Sequence, residues 1–371
     1  MAMRVSGFDA SYLITIRALA ARISAVLTLP RERHRIVATA SFPLEPRMQA
    51  TTQATTAPRH AIAANTLATF KVMPTGTAIG AEIQGMDLSL PIPDDVGAAL
   101  RDAWAKHMVI YWRGQTINDA QLMAVSSVFG PPHTAAARKY HLSQGEQVDD
   151  EYMISRHPSV SIISNIGRDG KPVMDNGGLG SYEVVWHSDN SYVEKPPAGS
   201  MLYSLVVPTN GGGDTSFNNQ YQAYDELPDD LKKAIEGKSQ IHDSSRNSAG
   251  VLRPGVKPPT KPEEVEGPSH PLVRVHPVTG RKALYLGRRR VWPSNYILGM
   301  SNADSEALLD KLWAHASQPK YAWTHYWNVG DCILWDNRCC MHYRTEIDVQ
   351  QRRIMHRTTI QGEVVQAPWQ Q

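Results

Sequence analysis

The sequence predicts a mainly β domain, a sandwich or jelly roll with flanking helices packed outside it. Two observations carry this reading. Apolar runs of strand length recur between turns rich in Gly and Pro, of which the chain has 26 and 25, and many short strands separated in this way suit a sandwich or jelly roll. The 371-residue length, 42% of it hydrophobic, is ample for a large buried core. Disorder throughout and a disulfide-stapled miniprotein are both excluded.

Each element follows from its pattern. Residues 71–73 and 78–83 read as a strand pair. Residues 94–106 carry Val96, Leu100 and Trp104 at helical spacing, with Asp94 and Asp95 at the end where they suit the helix dipole. Residues 108–112 are a strand-like apolar run, and a second helix over 118–129 stops at Gly130-Pro131-Pro132. Further strands are expected over 201–207, 283–286, 331–335 and 353–361, and helices over 221–236 and 305–317. Gly211-Gly212-Gly213 precedes Asp and Thr, not Lys and Ser, so it is a turn and not a phosphate-binding loop.

The domain is expected over 67–365, with a tail over 366–371. Residues 1–66 read as an N-terminal extension. Residues 1–60 hold eight arginines against three acidic residues. That composition matches an organelle transit peptide; the plainer readings are a disordered extension, or an upstream start with Met48 as the natural one. Over the whole chain 38 basic residues face 36 acidic ones, which argues against nucleic acid or an anionic membrane as partner. No apolar run approaches the roughly 20 residues of a spanning helix. The cysteines, Cys332, Cys339 and Cys340, form neither a disulfide framework nor a zinc spacing, so a reducing cytoplasm is the default compartment.

The chemistry begins at Val185-Trp186-His187-Ser188-Asp189. Residues two apart on a strand share a face, so His187 and Asp189 can converge on one metal ion. An imidazole, a carboxylate and a distant second histidine make the facial triad of non-haem Fe(II), which leaves coordination positions open. Trp335-Asp336-Asn337-Arg338-Cys339-Cys340-Met341-His342 supplies His342 as the third ligand. Beyond it Arg353 and Arg357 share one face of an alternating strand, about 13 Å apart. A guanidinium facing the core is costly unless a carboxylate pairs with it, and a bound dicarboxylate would do so.

Taken in order, His187-x-Asp189, Pro196-Pro197-Ala198-Gly199, Gly212-Gly213-Asp214-Thr215, Val273-x3-Pro277-x2-Gly280, Trp335-Asp336-Asn337-Arg338, His342 and Arg353-x3-Arg357 resemble the taurine/2,4-dichlorophenoxyacetate dioxygenase family. These are Fe(II)- and 2-oxoglutarate-dependent oxygenases, and the resemblance runs from about Phe70 to Gly362. It implies a double-stranded β-helix, with His187, Asp189 and His342 as iron ligands. It also implies Arg353 and Thr215 on the C5 carboxylate of 2-oxoglutarate, and Arg357 on an anionic group of the substrate. Arg357 could instead pair with a core carboxylate such as Asp336. The implied reaction consumes O2 and releases succinate and CO2, and the implied assembly is a homo-oligomer.

The expected substrate is a small anionic organic acid such as an aryloxyalkanoate, alkyl sulfate or sulfonate, hydroxylated and in some cases oxidatively cleaved. Taurine itself is not expected. Sulfonate-oxidising relatives place Asn where this chain has Val184, and a substrate-binding His where it has Ala135, although His133 and His141 are near. The substrate lid is expected over 133–182, with Met153, Ile162, Ile163 and the run Gly177-Gly178-Leu179-Gly180. Two alternatives stand beside this reading: a biosynthetic hydroxylase of an amino-acid-like metabolite, and a non-catalytic jelly roll that binds a metal or an acid. Outside the site, His356 alternates to the opposite strand face and reads as structural. Trp186, Trp335, Cys339 and Cys340 read as core, and Arg288-Arg289-Arg290 as a solvated loop.

Overall fold

β1 (Lys71–Pro74) and β2 (Ala81–Gln84) pair antiparallel, as their sequence predicts. α1 (Asp94–His107) buries Val96, Leu100 and Trp104 and keeps Asp94 and Asp95 in its first turn. It ends at Met108, left-handed at φ 64, which leads into β3 (Val109–Trp112). α2 (Asp119–Ser127) opens on a reciprocal cap: the Asn118 side chain accepts from the Gln121 N–H, and the Gln121 side chain accepts from the Asn118 N–H. The computed structural model describes residues 62–134 and 154–369, with positions 138, 142, 148 and 149 between them. All of these belong to the second of the two units into which the chain divides, residues 37–371.

Downstream come β4 (Ser161–Ser164), β5 (Val184–His187), β6 (Gly199–Val206) and β7 (Thr215–Asn219). The helix expected over 221–236 is two helices, α3 (Gln220–Asp225) and α4 (Asp229–Ile235). Pro228 explains the break: it disfavours helical backbone at Leu227 and donates no N–H, so it caps a new helix instead of continuing the old one. β8 (Ser239–Ile241), β9 (Ser269–Pro271), β10 (Val273–Val275), β11 (Lys282–Leu284) and β12 (Tyr296–Ile297) are short. α5 (Asn302–Ala316) precedes β13 (Ala322–His325), β14 (Cys332–Asp336), β15 (Cys340–Arg344) and β16 (Ile354–Ile360).

Two sheets organise the domain. The larger runs β1-β2-β3-β14-β6-β16-β4 and the smaller β13-β7-β15-β5, with a three-stranded sheet and a two-stranded one beside them. Period-two alternation assigns the faces of the larger sheet. Tyr111, Leu202, Ile333 and Trp335 join a core that includes Phe217 of the smaller sheet, and the Phe217 and Trp335 rings are 5.5 Å apart. The intervening Ile110, Met201 and Leu334 face outward, into a second core with Leu100 and Trp104 of α1. α5 covers the other face of the smaller sheet through Leu308, Leu312 and Trp313, which meet Trp186 and Met341.

Packing at both ends runs past residues 67–365. Asn65 is buried and its side chain bonds the Asp87 carbonyl at 2.9 Å, and the Gln366 carbonyl accepts from Val275 N at 2.9 Å. Residues 1–61 lie outside the described residues. Arg288-Arg289-Arg290 departs from the solvated loop of the sequence reading. Arg289 is buried between Glu306 and Asp310 of α5 at 2.7 and 2.6 Å, and Arg288 donates to the Asp243 and Arg246 carbonyls. Two acids of the following helix neutralise Arg289, which the run's local sequence does not reveal. No helix among the described residues is long and apolar enough to cross a membrane.

Candidate active site

β5 and β15 are neighbours, and their register sets His187 opposite His342. The ring centroids lie 4.0 Å apart. Asp189 is not on the strand: β5 ends at His187 and the chain turns, with Asn190 at φ 48. That turn, and not strand alternation, brings the carboxylate back. Asp189 Oδ1 lies 3.6 Å from His187 Nε2 and 3.8 Å from His342 Nε2. One ligand atom from each of the three buried residues falls within 4.8 Å of the others, close enough to hold one metal ion.

The protonation states suit that use. His187 Nδ1 is 2.7 Å from the Val185 carbonyl. A carbonyl only accepts, so Nδ1 carries a proton and Nε2 is the nitrogen that faces Asp189. Burial, followed by the neighbouring His187, pushes His342 down to about 3. Burial acts to raise Asp189, but Arg357 and then the two histidines outweigh it and hold the carboxyl well below the usual range. A neutral imidazole, as at His342, and an ionised carboxylate, as at Asp189, are the forms that coordinate a divalent cation.

A relay orients the carboxylate. Ser200 on β6 donates to Asp189 Oδ2 at 2.7 Å, Asn337 Nδ2 donates to Ser200 Oγ at 3.0 Å, and Trp335 Nε1 donates to Asn337 Oδ1 at 2.9 Å. The sequence reading missed Ser200, whose only signal is its place directly after Gly199. Removing such a supporting group typically lowers metal affinity about 10–100-fold. Ser200→Ala is therefore expected to fold normally and bind Fe(II) about that much more weakly, measured by anaerobic metal titration.

Asp336 stays outside the site. Arg338 grips it through two bonds of 2.9 and 2.7 Å, and His276 meets it at 3.0 Å. A pair between Arg357 and Asp336 is thereby replaced by another: Arg357 Nη1 donates to Asp189 Oδ1 at 3.4 Å. His356 turns away from the site to contact Asp119 of α2 at 2.6 Å. Trp186, Trp335, Cys339 and Cys340 are all buried.

Arg353 lies one residue before β16, and a register shift between Ile354 and Met355 breaks the simple alternation assumed for Arg353 and Arg357. Both nevertheless line one cavity of about 580 Å³, with His187, Asp189, Thr215 and His342. Arg353 is 1% exposed, and its Nε and Nη1 have no hydrogen-bond partner among the described residues. Burial, and then Arg344 beside it, push its pKa well below the ordinary value. Trp327 Nε1 donates to Thr215 Oγ1 at 3.0 Å, so the hydroxyl proton of Thr215 remains free to donate. Gly213 leaves room: a Cβ there would sit 2.8 Å from Arg353 Cδ. Apolar Ile162, Ile163, Leu179, Val184 and Leu202 wall the same cavity. Ala135, His141 and Met153 of the expected lid lie outside the described residues.

Fold and site together define the class: the chain is a 2-oxoglutarate-dependent dioxygenase, an enzyme that uses Fe(II), 2-oxoglutarate and O2. It belongs to the taurine catabolism dioxygenase TauD, TfdA family, whose model matches residues 70–359. The alpha-ketoglutarate-dependent 2,4-dichlorophenoxyacetate dioxygenase of Burkholderia sp. (strain RASC) is 32% identical over 257 residues, which cover 68% of this chain and 82% of that one. The alpha-ketoglutarate-dependent sulfate ester dioxygenase of Pseudomonas putida is 31% identical over 303 residues, covering 79% and 90%. Among solved structures, the crystal structure of AAD-2 in complex with Mn(II) and N-oxalylglycine is similar at 30% identity and a TM-score of 0.64. The match covers 81% of this chain and 99% of that one.

Proposed function

We propose that this enzyme hydroxylates a small organic substrate carrying one carboxylate or sulfate, such as an aryloxyalkanoate or an alkyl sulfate. His187, Asp189 and His342 hold the iron, Arg353 and Thr215 the C5 carboxylate of 2-oxoglutarate, and Arg357 the anionic group of the substrate. Bound Fe(II) supplies the oxidation in which O2 converts 2-oxoglutarate to succinate and CO2 and leaves one oxygen atom on the substrate carbon. Where that carbon bears an ether or sulfate-ester oxygen, the hydroxylated product collapses to a carbonyl compound and releases a phenol or sulfate. The two larger sheets are read as the double-stranded β-helix of the family.

The observation that carries the substrate class is the position of Arg357. Its guanidinium lies against the carboxylate proposed as an iron ligand and remains 21% exposed. Were Asp189 to hold a divalent ion, it would be a weaker partner for Arg357, and a substrate anion would give the guanidinium a new one. The apolar wall suits an aryl or alkyl body behind that charge. Val184 adds to the wall and presents no polar group, which supports a substrate other than taurine. Three buried free cysteines suit a reducing cytoplasm, and a homo-oligomer follows from the family resemblance, to be checked by light scattering.

The test is anaerobic. Fe(II) and 2-oxoglutarate added to metal-free protein should produce a weak visible charge-transfer absorption, and aryloxyalkanoates or alkyl sulfates should perturb it. No absorption with iron bound would exclude the chelate, and a band that none of these acids perturbs would exclude the substrate class. Released phenol or sulfate identifies cleavage, whereas a stable alcohol identifies simple hydroxylation. Arg357→Ala should raise KM for the anionic substrate about 10-fold or more and leave the 2-oxoglutarate requirement unchanged; an effect on 2-oxoglutarate alone refutes this role.

A further inference from the structure

The cavity contains a second buried guanidinium that the reading above does not use. Arg344 closes β15, two residues beyond His342, and pairs across the sheet with Thr215. It is 5% exposed and lines the same cavity as Arg353. Its Nη2 donates to the Gly180 carbonyl at 3.0 Å and to the Tyr182 carbonyl. Its Nε and Nη1 have no hydrogen-bond partner among the described residues, and the same two atoms of Arg353 also lack one.

Two buried guanidiniums that line one cavity with unpartnered N–H groups are unfavourable unless an acceptor reaches those atoms. A single carboxylate has about four lone-pair sites, enough for two guanidiniums and a hydroxyl. We propose that Arg344 is a second arm of the 2-oxo acid site, donating with Arg353 and Thr215 to the distal carboxylate of the cosubstrate. The proposal rests on the cosubstrate site assigned above. It makes one side chain serve two ends: Nη2 braces the wall at Gly180 and Tyr182, and Nε and Nη1 remain for the anion. Asn247 Nδ2 also donates to the adjoining Gly178 carbonyl at 2.8 Å, so the wall does not depend on Arg344 alone.

The test compares two 2-oxo acids of equal length on Fe(II)-loaded protein, anaerobically, by calorimetry. 2-Oxopentanoate has a methyl group where 2-oxoglutarate has its distal carboxylate. Arg344→Met is expected to weaken 2-oxoglutarate binding about 10-fold or more, the usual scale for a hydrogen bond to a charged group, with 2-oxopentanoate binding unchanged. Equal weakening of both acids would mean that Arg344 only braces the wall, and no change in either would remove it from the site; both results overturn the proposal. Wild-type protein that binds neither acid overturns the underlying cosubstrate reading as well. Should Arg344→Met not fold, Arg344→Lys decides by the same ratio: an intermediate preference for 2-oxoglutarate supports the proposal, and the wild-type preference overturns it.

Discussion

Asp189→Ala is expected to yield a folded protein that retains no iron and has no turnover above background. Asp189 is the one carboxylate among the described residues that line the cavity. Two neutral imidazoles hold a divalent cation far less well than the same pair beside an ionised carboxylate, which supplies both an anionic ligand and the charge that offsets the metal. The substitution also strips Ser200 and Arg357 of their acceptor. Ser200 still receives the Asn337 amide, and the partly exposed Arg357 can turn toward solvent, so the fold should survive. Iron stoichiometry after anaerobic gel filtration, read beside circular dichroism, checks both halves. Stoichiometric iron in Asp189→Ala would sink the ligand assignment.

Arg353→Met should separate function from stability. A charge-assisted bond to the cosubstrate contributes about 1.5–3 kcal/mol, so the Kd for 2-oxoglutarate should rise about 10- to 150-fold. The metal-free protein should lose no stability to denaturant, and should be neutral or gain, because the buried guanidinium lacks partners for Nε and Nη1 until a ligand arrives. A group conserving the fold would behave in the opposite way. An unchanged Kd together with a large loss of stability would make Arg353 a structural residue and move the cosubstrate elsewhere.

The residues proposed for this site were legible in the sequence, and the structure gathers them around one cavity. Ligand identity is a matter of residue type and order, and His187, Asp189, His342, Thr215 and Arg353 lie in motifs whose chemistry is specific. Local rules also reached the elements that local rules govern, such as the α1 stripe of Val96, Leu100 and Trp104. The break between α3 and α4 is likewise local, since Pro228 stands between them. What local patterns could not supply is charge compensation across the fold. Arg289 reads as a surface residue until Glu306 and Asp310 arrive on α5, and Arg344 reads as a strand-end arginine until the cavity forms around it.

By itself, the sequence determined the mainly β class and the family, and it supplied the residues proposed for the triad and for the cosubstrate carboxylate, because these depend on which groups are present and in what order. Only the tertiary structure decided that a turn and not a strand delivers Asp189, that Ser200, Asn337 and Trp335 orient it, and that Arg357 rests on it. The physical reason is that direction, burial and partnership belong to atoms brought together by sheet register from distant positions. His187 meets His342 only because β5 pairs with β15, and Arg344 faces Thr215 only because β15 also pairs with β7.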